Sequence, residues 1–124
     1  MKAVTVTWFE IPCNDIKRAA AFYEKVFATA LKVIDFGGPL MAFFPEKEGN
    51  IGANGSLMQY DSYVPSHDGT LVYFNCDDCN TELGRVVAAG GKLLREKTMI
   101  SPEHGFMGVA EDTEGNRIAM HSRV

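Results

Sequence analysis

Two ionisable side chains near opposite ends of the chain are the first candidates for chemistry. Glu10 lies in an early alternating segment and His121 in the last one. Imidazole titrates near neutral pH, so His121 is suited to proton transfer, and a neighbouring carboxylate would act as base or hold the ring in place. Glu10 and His121 are therefore the candidate catalytic pair. The alternative interpretation is a solvated or salt-bridged polar pair at the end of a sheet.

The three cysteines, Cys13, Cys76 and Cys79, offer a second kind of chemistry. Cys76 and Cys79 form a CxxC motif, which can be a redox pair or half of a zinc site. No second CxxC or histidine pair follows at zinc-site spacing, and two acids separate the two thiols. The small, odd number of cysteines favours unpaired thiols in a reducing compartment.

The elements that would position these residues occur twice, 63 residues apart. WFEIPCNDIKRAAAFYEKVF, residues 8–27, aligns with LVYFNCDDCNTELGRVVAAG, residues 71–90. Each copy is an alternating apolar strand that leads into a polar pair and then an amphipathic helix. Asn14 and Asp77 are the predicted N-caps, with an aspartate in the first turn of each helix.

Apolar spacing places one buried stripe on each predicted helix. The first stripe is Ile16, Ala19, Ala20, Tyr23, Val26 and Phe27, and the second is Cys79, Leu83, Val86, Val87 and Gly90. Three strands are predicted after each helix, at about 30–36, 39–45 and 51–60, then at about 91–95, 105–111 and 116–122. Residues 112–116 are predicted to form a tight turn between the last two strands.

The order βαβββ–linker–βαβββ predicts one domain, residues 1–124, built from modules of about 4–60 and 69–123. The helix of such a unit covers only one face of its sheet. The other face must therefore line a partner module, a ligand cavity or both.

Composition narrows the functional classes. The net charge of −4 provides no basic surface for nucleic acid, and no apolar run approaches the ~20 residues of a membrane span. The first twelve residues alternate and carry one lysine, which is not the pattern of a signal peptide. A cytoplasmic location is expected.

Four motifs carry a resemblance to a known family: FEIPCND followed by FY (residues 9–23), LVYFNCDD (71–78), AAGGKLL (88–94) and DTEGNRIAMHS (112–122). With the duplication, they make the sequence similar to the vicinal oxygen chelate superfamily of glyoxalase I, bleomycin resistance proteins and extradiol dioxygenases. The resemblance implies an α+β fold in which the sheets of two βαβββ modules curl into an open cup. It also implies frequent homodimers and, in the enzymes, a divalent metal held by histidines and glutamates in the cup.

The positions of those family ligands carry unsuitable residues here. Seven residues before the aspartate of each strand-to-helix turn, where the family has histidine, stand Trp8 and Leu71. The glutamate position of the last strand is Ala119, and its counterpart in the first module lies within 56–59, which has no acid or histidine. The indole N–H only donates hydrogen bonds, and the side chains of leucine and alanine have no lone pair with which to bind a metal ion. No cofactor is expected; a divalent metal held by other residues is the alternative.

Strand alternation predicts which side chains face the cup. They are the candidate ligand-binding residues Trp8, Glu10, Leu71, Tyr73, Arg117, Ala119 and His121. Phe9, Ile11, Phe74, Ile118 and Met120 are predicted to face the helices instead. Mostly apolar walls with a few polar groups are typical of small-molecule pockets.

The sequence therefore predicts a small-molecule-binding protein that takes an apolar or aromatic compound into the cup. The alternative is a metal-independent or atypically ligated lyase or isomerase acting on a small carbonyl, epoxide or thiol adduct. A homodimer is also predicted, because an open cup leaves an apolar sheet face uncovered.

Overall fold

Eight strands and two helices form two successive βαβββ modules in the computed structural model, which describes residues 1–124. The first module contains β1 (Glu10–Pro12), α1 (Ile16–Phe27), β2 (Lys32–Asp35), β3 (Leu40–Phe43) and β4 (Ser56–Gln59). The second contains β5 (Tyr73–Asn75), α2 (Cys79–Leu83), β6 (Lys92–Ser101), β7 (Gly105–Glu111) and β8 (Arg117–Ser122).

The strands form two open sheets, sheet 1 in the order β1-β4-β3-β2 and sheet 2 in the order β5-β8-β7-β6. The predicted α+β fold of two βαβββ modules is confirmed. Neither helix has the length and apolarity that a membrane crossing requires.

The strand pairing repeats at the offset read from the sequence. In sheet 1, β1 runs parallel to β4 with Glu10 beside Ser56. In sheet 2, β5 runs parallel to β8 with Tyr73 beside Ala119, and each of these residues is 63 positions after its counterpart. The internal repeat is therefore a structural repeat with one register.

Both helices also begin in the same way. The N–H of Ile16 donates to Gln59 Oε1 at 2.7 Å, and the N–H of Cys79 donates to Ser122 Oγ at 3.0 Å. In each module the last strand thus satisfies one of the amide groups that the first turn of a helix leaves unpaired.

The N-caps lie one residue later than predicted. The Asp15 carboxylate accepts from the N–H of Arg18, and the Asp78 carboxylate accepts from the N–H of Asn80. The prediction of Asn14 and Asp77 as caps was wrong. Asp15 and Asp78 have the extended backbone of cap residues.

The second helix is shorter than its apolar pattern predicts. It ends at Leu83, and residues 84–90 continue as turns with hydrogen bonds such as Val86 N–H to Leu83 C=O, three residues back. This tighter winding changes which side chains face inward. Val86 is fully buried, whereas Val87 is 67% exposed, contrary to the predicted stripe.

Strand lengths also differ from prediction. β1 has only three residues, so Trp8 and the alternating residues before it lie outside the strand. β4 covers the last part of the predicted 51–60 segment, and β6 extends to Ser101 with irregular register against β7.

One hydrophobic core joins the two modules. The helix-facing residues Ile11, Leu57, Ile118 and Met120 are at most 4% exposed and belong to one cluster with the buried stripe of α1. The predicted separation into a helix face and an opposite face therefore holds in both sheets.

The turn between β7 and β8, residues 112–116, docks the second module onto the first and is called the clasp. Its Glu114 carboxylate accepts from the N–H groups of Asn14 and Asp15, both at 2.9 Å, and from Arg18 Nε at 2.7 Å. Burial raises the pKa of Glu114, but hydrogen bonds from Arg18 and the two amides outweigh burial and hold that pKa below its ordinary value.

A second carboxylate of the clasp is buried in the core. Asp112 is 2% exposed and accepts from the Tyr23 hydroxyl at 2.6 Å. The same carboxylate accepts from the backbone N–H groups of Glu114 and Asn116 and from the Asn116 side chain. The clasp is thus a tight turn, as the sequence predicts, and also a polar contact between the modules.

Candidate functional site

The face of sheet 1 that points away from α1 carries a row of side chains across three strands and is called face 1. Glu10 on β1 lies beside Ser56 on β4, which lies beside Phe43 on β3. Directly paired residues project to the same side of a sheet. Their sequence neighbours Ile11 and Leu57 are in the core, so this row lies on the opposite, outward face.

Three aromatic rings lie together on face 1 and form what is called the aromatic strip. The Phe43 ring centroid is 5.6 Å from that of Trp8 and 6.3 Å from that of Phe36. Trp8 is 39% exposed and Phe36 is 54% exposed, while Phe43 is half-buried beneath them. Trp8 also lines a cavity of about 390 Å³ with Phe43 and Lys32. The aromatic strip therefore presents apolar surface to solvent on the same face as Glu10.

Glu10 has a hydrogen-bond partner from the segment between the modules. The Tyr63 hydroxyl donates to Glu10 Oε1 at 2.7 Å. This hydrogen bond, followed by the carboxylate charge, raises the pKa of Tyr63 above its ordinary value. The pair presents a carboxylate with one occupied oxygen next to the aromatic strip.

Ser56 contributes a polar atom under the row. The residue is fully buried, and its Oγ has no hydrogen-bond partner in the chain. Buried hydroxyl groups are normally satisfied, since an unmade hydrogen bond there is costly. Ser56 is therefore an unsatisfied buried hydroxyl beneath face 1, and its Oγ is not accessible to a group placed on that face.

The structure does not bring Glu10 and His121 together. His121 Nε2 lies 2.6 Å from the backbone carbonyl oxygen of His104, which can only accept, so Nε2 carries the proton. Glu10 is bonded to Tyr63, and no hydrogen bond or ion pair joins it to His121 or Tyr73. The base-and-orienter arrangement considered from the sequence is absent.

The other candidate residues are dispersed. Tyr73 is 51% exposed on the outer face of sheet 2, whereas Ala119 beside it is fully buried and Leu71 is half-buried. Arg117 is exposed and shares a cavity of about 380 Å³ with Glu10, between β1, the inter-module segment and β8.

The positions that would hold the family's metal do not fit a divalent ion. The repeat makes Ser56 the counterpart of Ala119, so the four positions carry Trp8, Ser56, Leu71 and Ala119. These side chains provide one hydroxyl and no imidazole, carboxylate or thiolate, the groups that bind such ions. No group of three or more His, Cys, Asp or Glu side chains is close enough to hold a metal.

Sequence reasoning missed three contributors to face 1. Tyr63 lies in a segment predicted only as a linker. Phe36 ends the predicted strand 30–36, whose side chains were not assigned to a face, and in the structure it lies just after β2. Ser56 had a usable indication, because it stands 63 residues before Ala119.

Sequence comparison identifies one family over most of the chain. Residues 5–120 match the model described as the glyoxalase/bleomycin resistance protein/dioxygenase superfamily. A "Glyoxylase-like domain-containing protein" from Didymella fabae is 27% identical over 125 residues, covering 95% of this chain and 93% of that protein.

Solved structures share the fold at low identity. A glyoxalase/bleomycin resistance protein/dioxygenase family enzyme from Burkholderia phytofirmans matches with a TM-score of 0.70 and 17% identity, covering 98% of this chain and all (100%) of that one. A glyoxalase-related enzyme from Fulvimarina pelagi matches with a TM-score of 0.66 and 18% identity, covering 95% of this chain and 87% of that one. A V278E mutant of glyoxalase I from Zea mays matches with a TM-score of 0.71 and 16% identity. The match covers 94% of this chain and 45% of the maize protein.

Proposed function

Because the chain belongs to the glyoxalase/bleomycin resistance protein/dioxygenase superfamily, we propose that it binds a small aromatic compound on face 1 without a divalent metal ion. The observation that carries this proposal is the aromatic strip, in which Trp8 and Phe36 stay exposed although the chain buries other aromatic rings in its core.

The strip supplies the binding surface. A planar ligand that covers the exposed parts of Trp8 and Phe36 removes apolar area from water. Favourable ring contacts add about 0.5–1.5 kcal/mol per aromatic pair beyond that burial. Phe43 supports both rings from below, so the surface is formed before the ligand arrives.

Glu10 and Tyr63 orient the ligand. Glu10 offers a carboxylate oxygen to a hydroxyl or N–H group of the ligand, and Tyr63 holds that carboxylate in position. The favoured ligand is therefore an aromatic ring system that carries a hydrogen-bond donor.

The absence of suitable metal ligands favours binding over the metal-dependent reactions of the superfamily. The enzymatic alternative predicted from the sequence, a metal-independent lyase or isomerase, relied on Glu10 and His121 acting together. No hydrogen bond or ion pair joins these two side chains, so the geometry gives that alternative less support than ligand binding.

A titration with 2-naphthol tests the proposal, since this probe has a planar ring system and one hydroxyl donor. Trp8 is the single tryptophan, so the ¹⁵N-¹H spectrum contains one indole resonance. In EDTA-containing buffer, that resonance should shift with a saturable dependence on 2-naphthol. Naphthalene, which lacks the hydroxyl, should bind more weakly.

Matched variants locate the site. Phe36→Ala should weaken 2-naphthol binding about 2- to 12-fold, which corresponds to about 0.5–1.5 kcal/mol. Val33→Ala is the control, because Val33 is similarly exposed (47%) but pairs with the core residue Ala42 and so faces the other side of the sheet. An unshifted indole resonance at saturating probe, or binding abolished by EDTA and restored by a divalent ion, would contradict the proposal.

A further inference from the structure

The largest cavity of the chain is not on face 1. It measures about 580 Å³ and lies between the C-terminal end of α1, the loop of residues 45–54 and β5, where the two modules meet. Its lining is Phe27, Thr29, Phe44, Pro45, Gly49, Asn50, Ile51, Ala53, Asn54, Phe74 and Asn75. This cavity is called the junction cavity, and none of the candidate site residues predicted from the sequence lines it.

Three aromatic rings form its apolar wall. The Phe74 ring centroid is 4.8 Å from that of Phe27 and 5.5 Å from that of Phe44. Phe27 comes from α1, Phe44 follows β3, and Phe74 is in β5, so both modules contribute. Phe44 and Phe74 also pack against the core, which holds the wall rigid.

The rim of the junction cavity is polar but carries no charge. Four side chains supply hydroxyl or amide groups: Thr29, Asn50, Asn54 and Asn75. Asn54 uses its Nδ2 to donate to the Pro45 carbonyl at 2.6 Å, which ties the two ends of the loop together. No lysine, arginine, histidine, aspartate or glutamate lines the cavity.

The loop over this cavity places one large apolar side chain in water. Ile51 is 103% exposed, although every other lining residue is small, polar or partly covered. Gly49 and Gly52 flank it with φ values of 84° and 96°, a conformation that residues with side chains rarely adopt. A ligand on the aromatic wall would give Ile51 an apolar partner, which the chain itself does not provide.

We propose that the junction cavity is a second small-molecule site, specific for uncharged aromatic compounds. Its volume is in the range of ligand pockets, and its apolar wall with a few amide and hydroxyl groups is their usual lining. A charged ligand is disfavoured, because it would lose hydration without gaining an oppositely charged partner. The site differs from face 1, which presents the carboxylate of Glu10.

Two fluorescent probes with the same ring system test this specificity. N-phenyl-1-naphthylamine is uncharged, and 8-anilinonaphthalene-1-sulfonate adds one sulfonate. The uncharged probe should bind with enhanced emission, and the sulfonate should bind at least tenfold more weakly. Equal affinities for the two probes would overturn the assignment of an uncharged ligand.

Variants of the loop assign the probe to the cavity. Ala53→Phe fills the space and should abolish binding of N-phenyl-1-naphthylamine. Ile51→Ser should weaken binding at least threefold without affecting folding, because Ile51 contacts solvent only. Val87→Ser is the matched control, since Val87 is 67% exposed and lines neither this cavity nor the one beside Trp8.

The same titrations separate this site from face 1. Phe36→Ala should leave binding of N-phenyl-1-naphthylamine unchanged while it weakens 2-naphthol. Loss of the probe in Phe36→Ala, with full binding retained in Ala53→Phe and Ile51→Ser, would place it on face 1 and refute the second site. Unchanged binding in all three variants would refute it as well.

Discussion

Replacing Tyr23 by phenylalanine tests whether the clasp stabilises the contact between the modules. Tyr23 is fully buried, and its hydroxyl donates to the buried carboxylate of Asp112 at 2.6 Å. The substitution removes one oxygen atom and leaves the ring in place. Asp112 Oδ2 keeps the hydrogen bond from the Asn116 side chain at 2.9 Å, so no new unpaired charge is created.

The expected loss in the free energy of unfolding follows from the charge of the acceptor. A hydrogen bond to a charged group contributes about 1.5–3 kcal/mol, and the retained bond from Asn116 favours a loss of about 2 kcal/mol for Tyr23→Phe. With about 2.1 cal/mol/K of unfolding entropy per residue, a chain of 124 residues has an unfolding entropy of about 260 cal/mol/K. A loss of about 2 kcal/mol therefore lowers the melting temperature by about 8 °C.

Thermal unfolding followed by circular dichroism measures this loss, and Tyr63→Phe is its control. Tyr63 makes a bond of the same chemistry, hydroxyl to carboxylate, at 2.7 Å, but near the surface. Water can replace that bond, so the melting temperature of Tyr63→Phe should stay close to that of the unmodified chain. Equal shifts for the two variants, or an unchanged melting temperature in Tyr23→Phe, would show that burial does not decide the strength of the clasp.

Alkaline pH gives an independent measurement of the same residue. Burial, then the charge of Asp112 and the hydrogen bond to it, raise the pKa of Tyr23 well above its ordinary value of 10.0. The unfolded tyrosine ionises near that value and the folded one does not. The stability that this group contributes is therefore present below pH 10 and is lost as the pH rises above it. Tyr23→Phe should lack this part of the alkaline loss.

Three further predictions concern acid, thiols and assembly. The pKa of Glu114 is lowered from 4.5 in the folded state, so the free energy of unfolding should fall as the pH drops from 4.5 through the lower folded value. In Glu114→Gln, urea unfolding should show a smaller fall of this free energy in acid. An identical fall in both proteins would contradict this. Burial, followed by nearby carboxylates, raises the pKa values of Cys13 and Cys76 to about 12. Neither thiol should therefore react with Ellman's reagent at pH 8 until the protein is denatured. Rapid reaction of the native protein would count against this prediction. Light scattering at micromolar concentration should give the mass of a dimer, because sheet 2 leaves apolar side chains such as Tyr73, Met99 and Ile100 exposed. A mass near 13.6 kDa would be the opposite result.

Much of the fold could be predicted from local patterns. The apolar spacing of α1 located its buried face, and alternation placed Ile118 and Met120 in the core, because side-chain direction in a helix or strand depends only on position along it. The alignment of the two halves gave the offset that the strand pairs Glu10–Ser56 and Tyr73–Ala119 obey. Less could be predicted where local rules compete, as at Val87, where a tight turn replaces the expected helix.

Only part of the candidate site could be predicted from the sequence. The resemblance pointed to the position of Trp8 and strand alternation added Glu10, and both residues lie on face 1. Tyr63 lies in an irregular segment where no periodicity assigns a direction, and Phe36 lies at the end of a predicted strand that the structure ends at Asp35. The junction cavity was not foreseen, because its wall comes from three separate elements of both modules.

The sequence by itself determined the two βαβββ modules, the 63-residue offset between them and the core-facing side of β1, β5 and β8. These properties depend on residues a few positions apart and on comparing one half of the chain with the other. Only the tertiary structure decided the hydrogen-bond partners, since Glu114 binds the amide of Asn14 across 100 positions and Glu10 meets Tyr63 across 53. Such contacts depend on how the two modules dock and how the segment between them folds back, and no local pattern encodes that distance.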